Sequence, residues 1–263
     1  VATNVAQTSV TIDDIDAVVD SGAERRIELA DGIEGLYLKP ISQADAKQRA
    51  GRAGRTKEGK YVLVSNASLS SRPAFPTAEI QRSRLDQLVL RLAIAGFDAT
   101  ELEFFHQPDK GVLVEAKKSL TNLGAFDEKG EVTKIGKTMS RLPVDVHIAR
   151  MVVEGAARGV VSDVIDIAAC IEAGGIKDRT NKAVALVSEA NRVSDLLAEL
   201  DIFKKASAMK REDLRDAGIF AKAYFKAREI RGKLDGLRQF VRIDSIGNTE
   251  EILKSCVAGM VDR

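Results

Sequence analysis

The sequence predicts a mixed fold: part of an α/β layer, then a small module of helices and a turn, then an all-helical remainder. Three observations carry this. Between residues 15 and 64, short β-prone apolar runs flank one helical segment, and strand–helix–strand order indicates part of an α/β layer rather than a complete domain. From residue 81 onward, apolar residues recur at three- and four-residue spacing, the mark of amphipathic helices. Hydrophobic residues make up 44% and charged residues 30% of the 263, which is the composition of a folded globular chain and not of a disordered or fibrous one. That length suits one large domain or two to three small ones.

In order along the chain, Ile15–Asp20 is a short apolar strand closed by Ser21-Gly22. Arg25–Leu29 and Gly35–Leu38, separated by Ala30–Glu34, are placed to pair as a hairpin. Ser42 followed by Asp45 has the spacing of a capping box and starts a helix, and Tyr61–Val64 returns to a sheet. Ser65–Thr77 is rich in Ser and Pro and is the expected linker. Gln81–Ala95 sets Leu85, Leu88, Leu92 and Ala95 on one stripe and ends at Gly96. Val112–Leu123 repeats the pattern with Leu113, Ala116, Leu120 and Leu123. A turn over Asp127–Thr133 around Gly130 precedes a helix to Leu142, stopped by Pro143. Helix, helix, β-turn and helix in this order suit a winged-helix module. His147–Arg263 is predicted almost entirely helical, with breaks at Gly159, Gly174-Gly175 and Ile243–Gly247. The resulting domains are 1–68, 69–142 and 143–263.

Composition also excludes several classes. No uncharged apolar run approaches the ~20 residues that span a bilayer, and Val1–Asn4 has no basic, signal-like start. No membrane association is expected. Cys170 and Cys256 lack any partner spacing, so neither a zinc site nor a disulfide framework is expected, and a reducing, cytoplasmic compartment follows. The net charge of +1 hides an uneven distribution. Residues 1–35 carry eight acids against two bases, residues 47–60 six bases against one acid, and Lys204–Arg242 twelve bases against five acids. Local basic concentrations favour a polyanionic partner, although a solvated helical surface accounts for the last stretch equally well.

The most informative segment is Gln48-Arg49-Ala50-Gly51-Arg52-Ala53-Gly54-Arg55. If the preceding helix continues through it, Gln48, Arg52 and Arg55 stand at i, i+4 and i+7 on one face. Such an array suits a triphosphate, because guanidiniums are permanently charged and fork-shaped to match phosphate oxygens. Small residues between them leave room for a close neighbour. A merely solvated basic helix has no use for two interior glycines, each costing about 1 kcal/mol relative to Ala.

These eight residues resemble the sixth motif of the DEAH-box RNA helicases. Thr3–Asp13, followed by Val18–Gly22, looks like that family's fifth motif and the strand after it, and Pro40–Ala44 leads into the sixth motif as in the family. Glu79–Leu85 resembles the start of the family's winged helix, and Leu123–Asp127, Thr133–Lys137 and Leu142-Pro143 resemble its end. Ser194–Leu197 and Cys256–Gly259 are similar to landmarks of its helical ratchet region. Two departures stand out. Gln7 occupies a fifth-motif position where family members normally have Glu. The sequence also holds no GxxxxGK[ST] loop and no Asp-Glu-Ala-His motif. Gly136-Lys137-Thr138 is not such a loop, because the required glycine at 131 is Glu131, and it reads instead as helix entry within the winged helix.

The resemblance implies the C-terminal part of an ATP-dependent RNA helicase. Residues 1–68 would be the end of the second RecA-like domain, 69–142 the winged-helix domain and 143–263 the ratchet. The first RecA-like domain and an OB-fold would be supplied elsewhere in the same polypeptide, and the isolated chain is expected to lack ATPase activity. By motif position, Arg52 and Arg55 would be arginine fingers at the γ-phosphate, with Gln48 helping to position it. Thr11 and Asp13 would meet the nucleotide, although a cap is the plainer role for Asp13. ATP with Mg²⁺ is the implied cofactor, bound mainly by the upstream domain, and no metal ligand set is expected in this chain. Thr3, Asn4 and Thr8 align with residues that touch the RNA backbone, a role that competes with ordinary N-capping. Lys222 and Lys226, one helical turn apart in the basic stretch, are candidate phosphate contacts. Arg25–Leu38 takes the place of the family's β-hairpin, which helps split or guide the strand. The implied partner is single-stranded RNA, or DNA, with room for an activating protein. His106 and His147 are expected to be structural, and Met139, Met151 and Met209 to fill the core. The competing reading is a non-motor nucleic-acid-binding adaptor built from the winged helix and helical region, which would have no need of Gln48, Arg52, Arg55, Thr11 and Asp13 together.

Overall fold

The computed structural model describes residues 2–8, 13–30, 33–54, 57–235 and 248–261. They fall into two compact units, one of Val1–Leu85 with Glu103–Val112 and one of Asp86–Leu102 with Leu113–Arg263. No helix among the described residues is long and apolar enough to cross a membrane.

The first unit opens with a single-turn helix α1 (Val5–Thr8) and the strand β1 (Ala17–Asp20). The hairpin strands β2 (Ala23–Ala30) and β3 (Ile33–Pro40) are longer than the apolar runs suggest and pair antiparallel from Ala23↔Pro40 to Ala30↔Ile33. Charge pairing holds one of its faces. Arg26 reaches Glu28 at 2.6 Å and Glu24 at 3.5 Å, and Lys39 reaches Glu28 at 2.6 Å. Ile27, Leu36 and Leu38 are exposed on the opposite face, one residue out of phase with this ladder.

Helix α2 (Gln43–Ala50) begins as the sequence predicts. Ser42 Oγ accepts from Asp45 N at 3.1 Å, and the Asp45 carboxylate accepts from Ser42 N at 3.1 Å, a complete capping box. Strand β4 (Lys60–Leu63) then pairs parallel with β1, from Ala17↔Lys60 to Asp20↔Leu63. The expected linker is not a free tether. Gln43 N and Ala44 N donate to the carbonyls of Pro73 and Ala74. Buried Arg72 donates to the carbonyls of Gly22 (2.5 Å) and Ile41 (3.3 Å) and to Ser65 Oγ (2.8 Å). Gly22 sits at φ +67°, where a Cβ would meet the Arg72 guanidinium at 2.7 Å, so this junction needs glycine twice over.

The second unit contains α3 (Asp86–Ile94), most of α4 (Lys110–Asn122), then α5 (Lys134–Met139), α6 (Val146–Ala157) and α7 (Val161–Ala173). After these come α8 (Asp195–Ala206), α9 (Asp213–Asp216), α10 (Ala221–Asp235) and α11 (Thr249–Ala258). Helix α3 starts five residues later than its stripe predicts. Leu29 N bonds to Arg82 O at 2.8 Å and Arg84 N to Glu34 Oε1 at 2.9 Å, so residues 82–84 hold the hairpin with groups a helix would have used. Its other end follows the sequence, with Gly96 at φ +88° and Phe97 N returning to Leu92 O at 2.9 Å. Between α4 and α5, Phe126 and Val132 form a β-bridge around a turn in which Asp127 Oδ1 accepts from Lys129 N and Glu131 N, both at 2.9 Å.

The centre of this unit is α7, which packs against α6, α8 and α10. Ala169, Cys170, Ile202, Phe203, Tyr224 and Ala227 form its apolar core, with the Phe203 and Tyr224 rings 5.6 Å apart. Met139 and Met151 are fully buried, as core filling requires. Cys170 and Cys256 are buried free thiols, and burial pushes Cys256 up to about 12, so both are inert at neutral pH. His147 is buried on α6, its Nδ1 3.0 Å from the Gly259 carbonyl.

Candidate functional site

The sixth-motif residues lie on α2 and the turn after it. The helix does not run through to Arg55. It ends at Ala50 and is capped by Gly51, and Arg52 N and Ala53 N bond to Arg49 O and Ala50 O at 3.1 Å in i→i−3 fashion. Two glycines in four residues remove the propensity that would carry the helix further. The expected i, i+4, i+7 stripe is therefore helical only over its first part. Arg55 lies outside the described residues, as do Thr11 and the side chain of Thr8.

Four residues of this segment converge on one partner. The Gln7 side-chain amide on α1 donates to Asp45 Oδ1 at 2.8 Å and to Gln48 Oε1 at 2.9 Å, and its carbonyl oxygen accepts from Arg49 Nε at 3.0 Å. Arg52 Nη2 donates to the Gln7 backbone carbonyl. Residues 45, 48 and 49 are the face that α2 presents to α1, and Arg52 joins them from the turn after the helix. Gln48 is exposed and Arg52 half-buried.

Beneath this layer, Arg49 Nη1 donates to Asp20 Oδ1 at 2.8 Å and to the Ala23 carbonyl at 3.3 Å. Asp20 also accepts from Tyr61 Oη at 2.9 Å and from Gly22 N at 2.9 Å. Burial, and then the Asp20 carboxylate, push the Tyr61 phenol up to about 12. Asp45 is pulled both ways: burial raises its carboxyl, but Ser42, Gln7 and Arg49 outweigh this and hold it below the usual carboxylate range. Sequence reasoning missed Arg49, Asp20, Asp45 and Tyr61 as members of this constellation. Arg49 was visible inside the motif, but its inward direction depends on where β1 lies.

The remaining expected residues are dispersed. Thr3 and Asn4 are exposed, and their carbonyls accept from Ala6 N at 3.1 Å and Gln7 N at 3.0 Å, which opens α1. Asp13 is exposed and outside any helix. Lys222 and Lys226 are both on α10, and Lys226 Nζ donates to the Glu172 carbonyl at 3.1 Å, near the C-terminal end of α7. Gly136 N donates to the Thr133 cap at 3.1 Å inside α5, so Gly136-Lys137-Thr138 is helix entry. Among the described residues no group of three or more His, Cys, Asp or Glu is gathered to hold a metal ion.

Residues 118–144 match the family described as Helicase associated domain (HA2), winged-helix. The chain is 32% identical over 231 residues to the ATP-dependent RNA helicase HrpA homolog of Haemophilus influenzae, covering 82% of this chain and 18% of that protein. It is 35% identical over 217 residues to the probable ATP-dependent RNA helicase DHR2 of Saccharomyces cerevisiae, covering 77% of this chain and 29% of the relative. Against ATP-dependent RNA helicase HrpA of Escherichia coli it is 34% identical over 216 residues, covering 77% and 17%. The crystal structure of the E. coli DExH-box NTPase HrpB superposes on 99% of this chain and 28% of that one, with a TM-score of 0.70 and 26% identity. The chain thus spans less than a third of the length of the proteins it matches.

Proposed function

We infer that this chain, which is similar to the C-terminal region of DEAH-box ATP-dependent RNA helicases, works as that region of a longer motor. The relatives carry this reading through their names and through an HA2-type winged helix at residues 118–144. In it, 1–68 ends the second RecA-like domain, 69–142 is the winged helix and 143–263 the ratchet lining a channel for single-stranded RNA.

The observation that carries the site is the α1–α2 layer, where Gln48 and Arg52 stand side by side over a buried support of Arg49 and Asp20. An exposed amide and a fixed guanidinium are the donor types a nucleotide's terminal phosphate needs, so the residues present fit that end of ATP. Gln48 and Arg52, with Arg55, would hold the terminal phosphate. The nucleotide supplies the free energy of hydrolysis. In this reading the metal and the attacking water belong to the other RecA-like domain of the full polypeptide. An adaptor without a motor gives no role to this support, so the motor reading is preferred.

The test is Arg52→Ala and Arg55→Ala in the full-length polypeptide. Each is expected to lower ATP turnover by at least ~10³-fold, the lower end of what an arginine finger contributes, while RNA binding stays near wild type. Normal turnover in the double variant would remove these residues from the mechanism.

A further inference from the structure

Gln7 uses every hydrogen-bonding group of its side chain on α2. Both amide hydrogens go to Asp45 and Gln48, the side-chain carbonyl oxygen takes Arg49, and the backbone carbonyl of the same residue takes Arg52. The chemistry at this position is not interchangeable. Asp45 Oδ2 is already committed to Ser42, accepting from its hydroxyl at 2.6 Å and its N–H at 3.1 Å, so only Oδ1 faces α1 and it needs a donor there. A glutamate at position 7, the residue the DEAH-box resemblance leads one to expect, would set two carboxylate oxygens roughly 3 Å apart where an amide hydrogen now lies between them.

We propose that Gln7 and Asp45 form a one-way acid–amide pair, with the acid on α2 accepting from the amide on α1, and that this pair is the positioning element that holds Gln48 and Arg52 in register. The pair determines which way Gln48 faces. Because Gln7 donates to Gln48 Oε1, the Gln48 amide nitrogen is left to donate outward. An acceptor at position 7 would draw that nitrogen inward and present the oxygen instead. The charged groups gathered around the pair are Arg49 on α2, Arg52 on the turn after it, Asp20 on β1 and Glu24 on β2, the last 3.9 Å from Arg49. Helix α1 itself carries no charge. The positioning role rests on the proposed motor function, whereas the pairing itself does not.

The experiment therefore has two arms. In the 263-residue chain, thermal unfolding of Gln7→Glu, Asp45→Asn and the double variant is followed from pH 4 to 8. Gln7→Glu alone is expected to lose stability progressively as pH rises through the carboxylate range, because only then do both acids ionise. Asp45→Asn loses stability with no such profile. The double variant carries one acid and one donor again, now exchanged, and is expected to recover most of the loss and to erase the pH dependence. In the full-length polypeptide, Gln7→Glu is expected to lower kcat by on the order of 10²-fold, as for a displaced positioning group, with KM for ATP much less affected and partial recovery in the double variant. A pH-independent Gln7→Glu, or a double variant no better than the sum of the singles, overturns the pair. A pair that holds in unfolding but leaves kcat untouched in every variant overturns the positioning role. A wild-type full-length polypeptide with no ATPase activity overturns the motor reading and the positioning role with it, while the unfolding cycle still decides the pair.

Discussion

Arg49 and Asp20 form an ion pair at 2.8 Å beneath the sixth-motif segment, with side chains only 13% and 4% exposed. It joins α2 to the end of β1 and holds the layer on which Gln48 and Arg52 stand. Breaking a buried pair by deleting one partner costs ~3–5 kcal/mol, because the remaining charge is stranded. Asp20 keeps two donors, Tyr61 Oη and Gly22 N, so the lower end applies. Arg49→Ala is expected to lower unfolding free energy by about 3 kcal/mol, and Arg49→Lys by less. Urea unfolding of the isolated chain measures this, and a change below 1 kcal/mol would place the pair among ordinary surface contacts.

Two glycines, Gly54 of the Gln48–Arg55 segment and Gly136 of α5, separate function from stability. A Cβ at Gly54 would meet nothing within 4 Å among the described residues, whereas one at Gly136 would lie 2.4 Å from the Ala125 carbonyl. Gly54→Ala is therefore expected to leave the melting temperature unchanged, and Gly136→Ala to lower it by several degrees. If the space at Gly54 serves a neighbouring nucleotide, Gly54→Ala also slows ATP turnover in the full-length polypeptide. Activity assays beside melting curves of the two variants decide this.

Acid sensitivity of the segment between α3 and α4 should depend on Asp98. Lys117 Nζ, together with Thr100, holds its carboxyl down from 3.8 to about 2. A depressed carboxyl contributes stability that is complete above its unfolded value and is lost as pH falls through the folded one. The contribution is thus present above pH 4 and disappears between 3.8 and about 2. The pair is more than a third exposed on both sides, so screening keeps the effect small. Asp98→Asn should melt lower than wild type at pH 6 and the two should converge near pH 2, while parallel curves over the whole range would assign the difference to packing.

Much of the fold was legible because local rules and tertiary structure agree. The capping box at Ser42 and Asp45, the hairpin, the Gly96 stop and the Gly130 turn each follow from a few adjacent residues. Failures came where distant groups competed for the backbone. Residues 82–84 satisfy the hairpin instead of starting α3, and the Ser- and Pro-rich segment anchors the start of α2 through Arg72. In the site, Gln48 and Arg52 were legible as a motif. Their support was not, because Asp20 and Tyr61 meet through β1 pairing with β4, and Gln7 joins only through α1 packing on α2.

The last prediction concerns RNA binding by α10. Lys222 and Lys226 sit one turn apart, and the twelve bases of Lys204–Arg242 make phosphate contact reasonable on charge grounds. The structure makes the two lysines unequal. Lys226 donates to the Glu172 carbonyl at 3.1 Å, where the last turn of α7 leaves oxygens in need of a cation. Lys222 is exposed with no such tie among the described residues, and Glu229 and Asp235 of the same helix pair with Lys233 and Arg231. For single strands each neutralised phosphate contributes about −0.7 to the log–log salt slope. Lys222→Ala should flatten that slope by about 0.7 if the contact is real, and Lys222→Ala/Lys226→Ala by about 1.4 only if Lys226 leaves Glu172 to meet the strand. A fluorescent single strand titrated across a salt series, with melting temperatures taken on the same variants, distinguishes the cases. A double variant that flattens the slope no more than Lys222→Ala, yet melts lower, assigns Lys226 to the α7 terminus, and an unchanged slope in both returns this face of α10 to plain solvated surface.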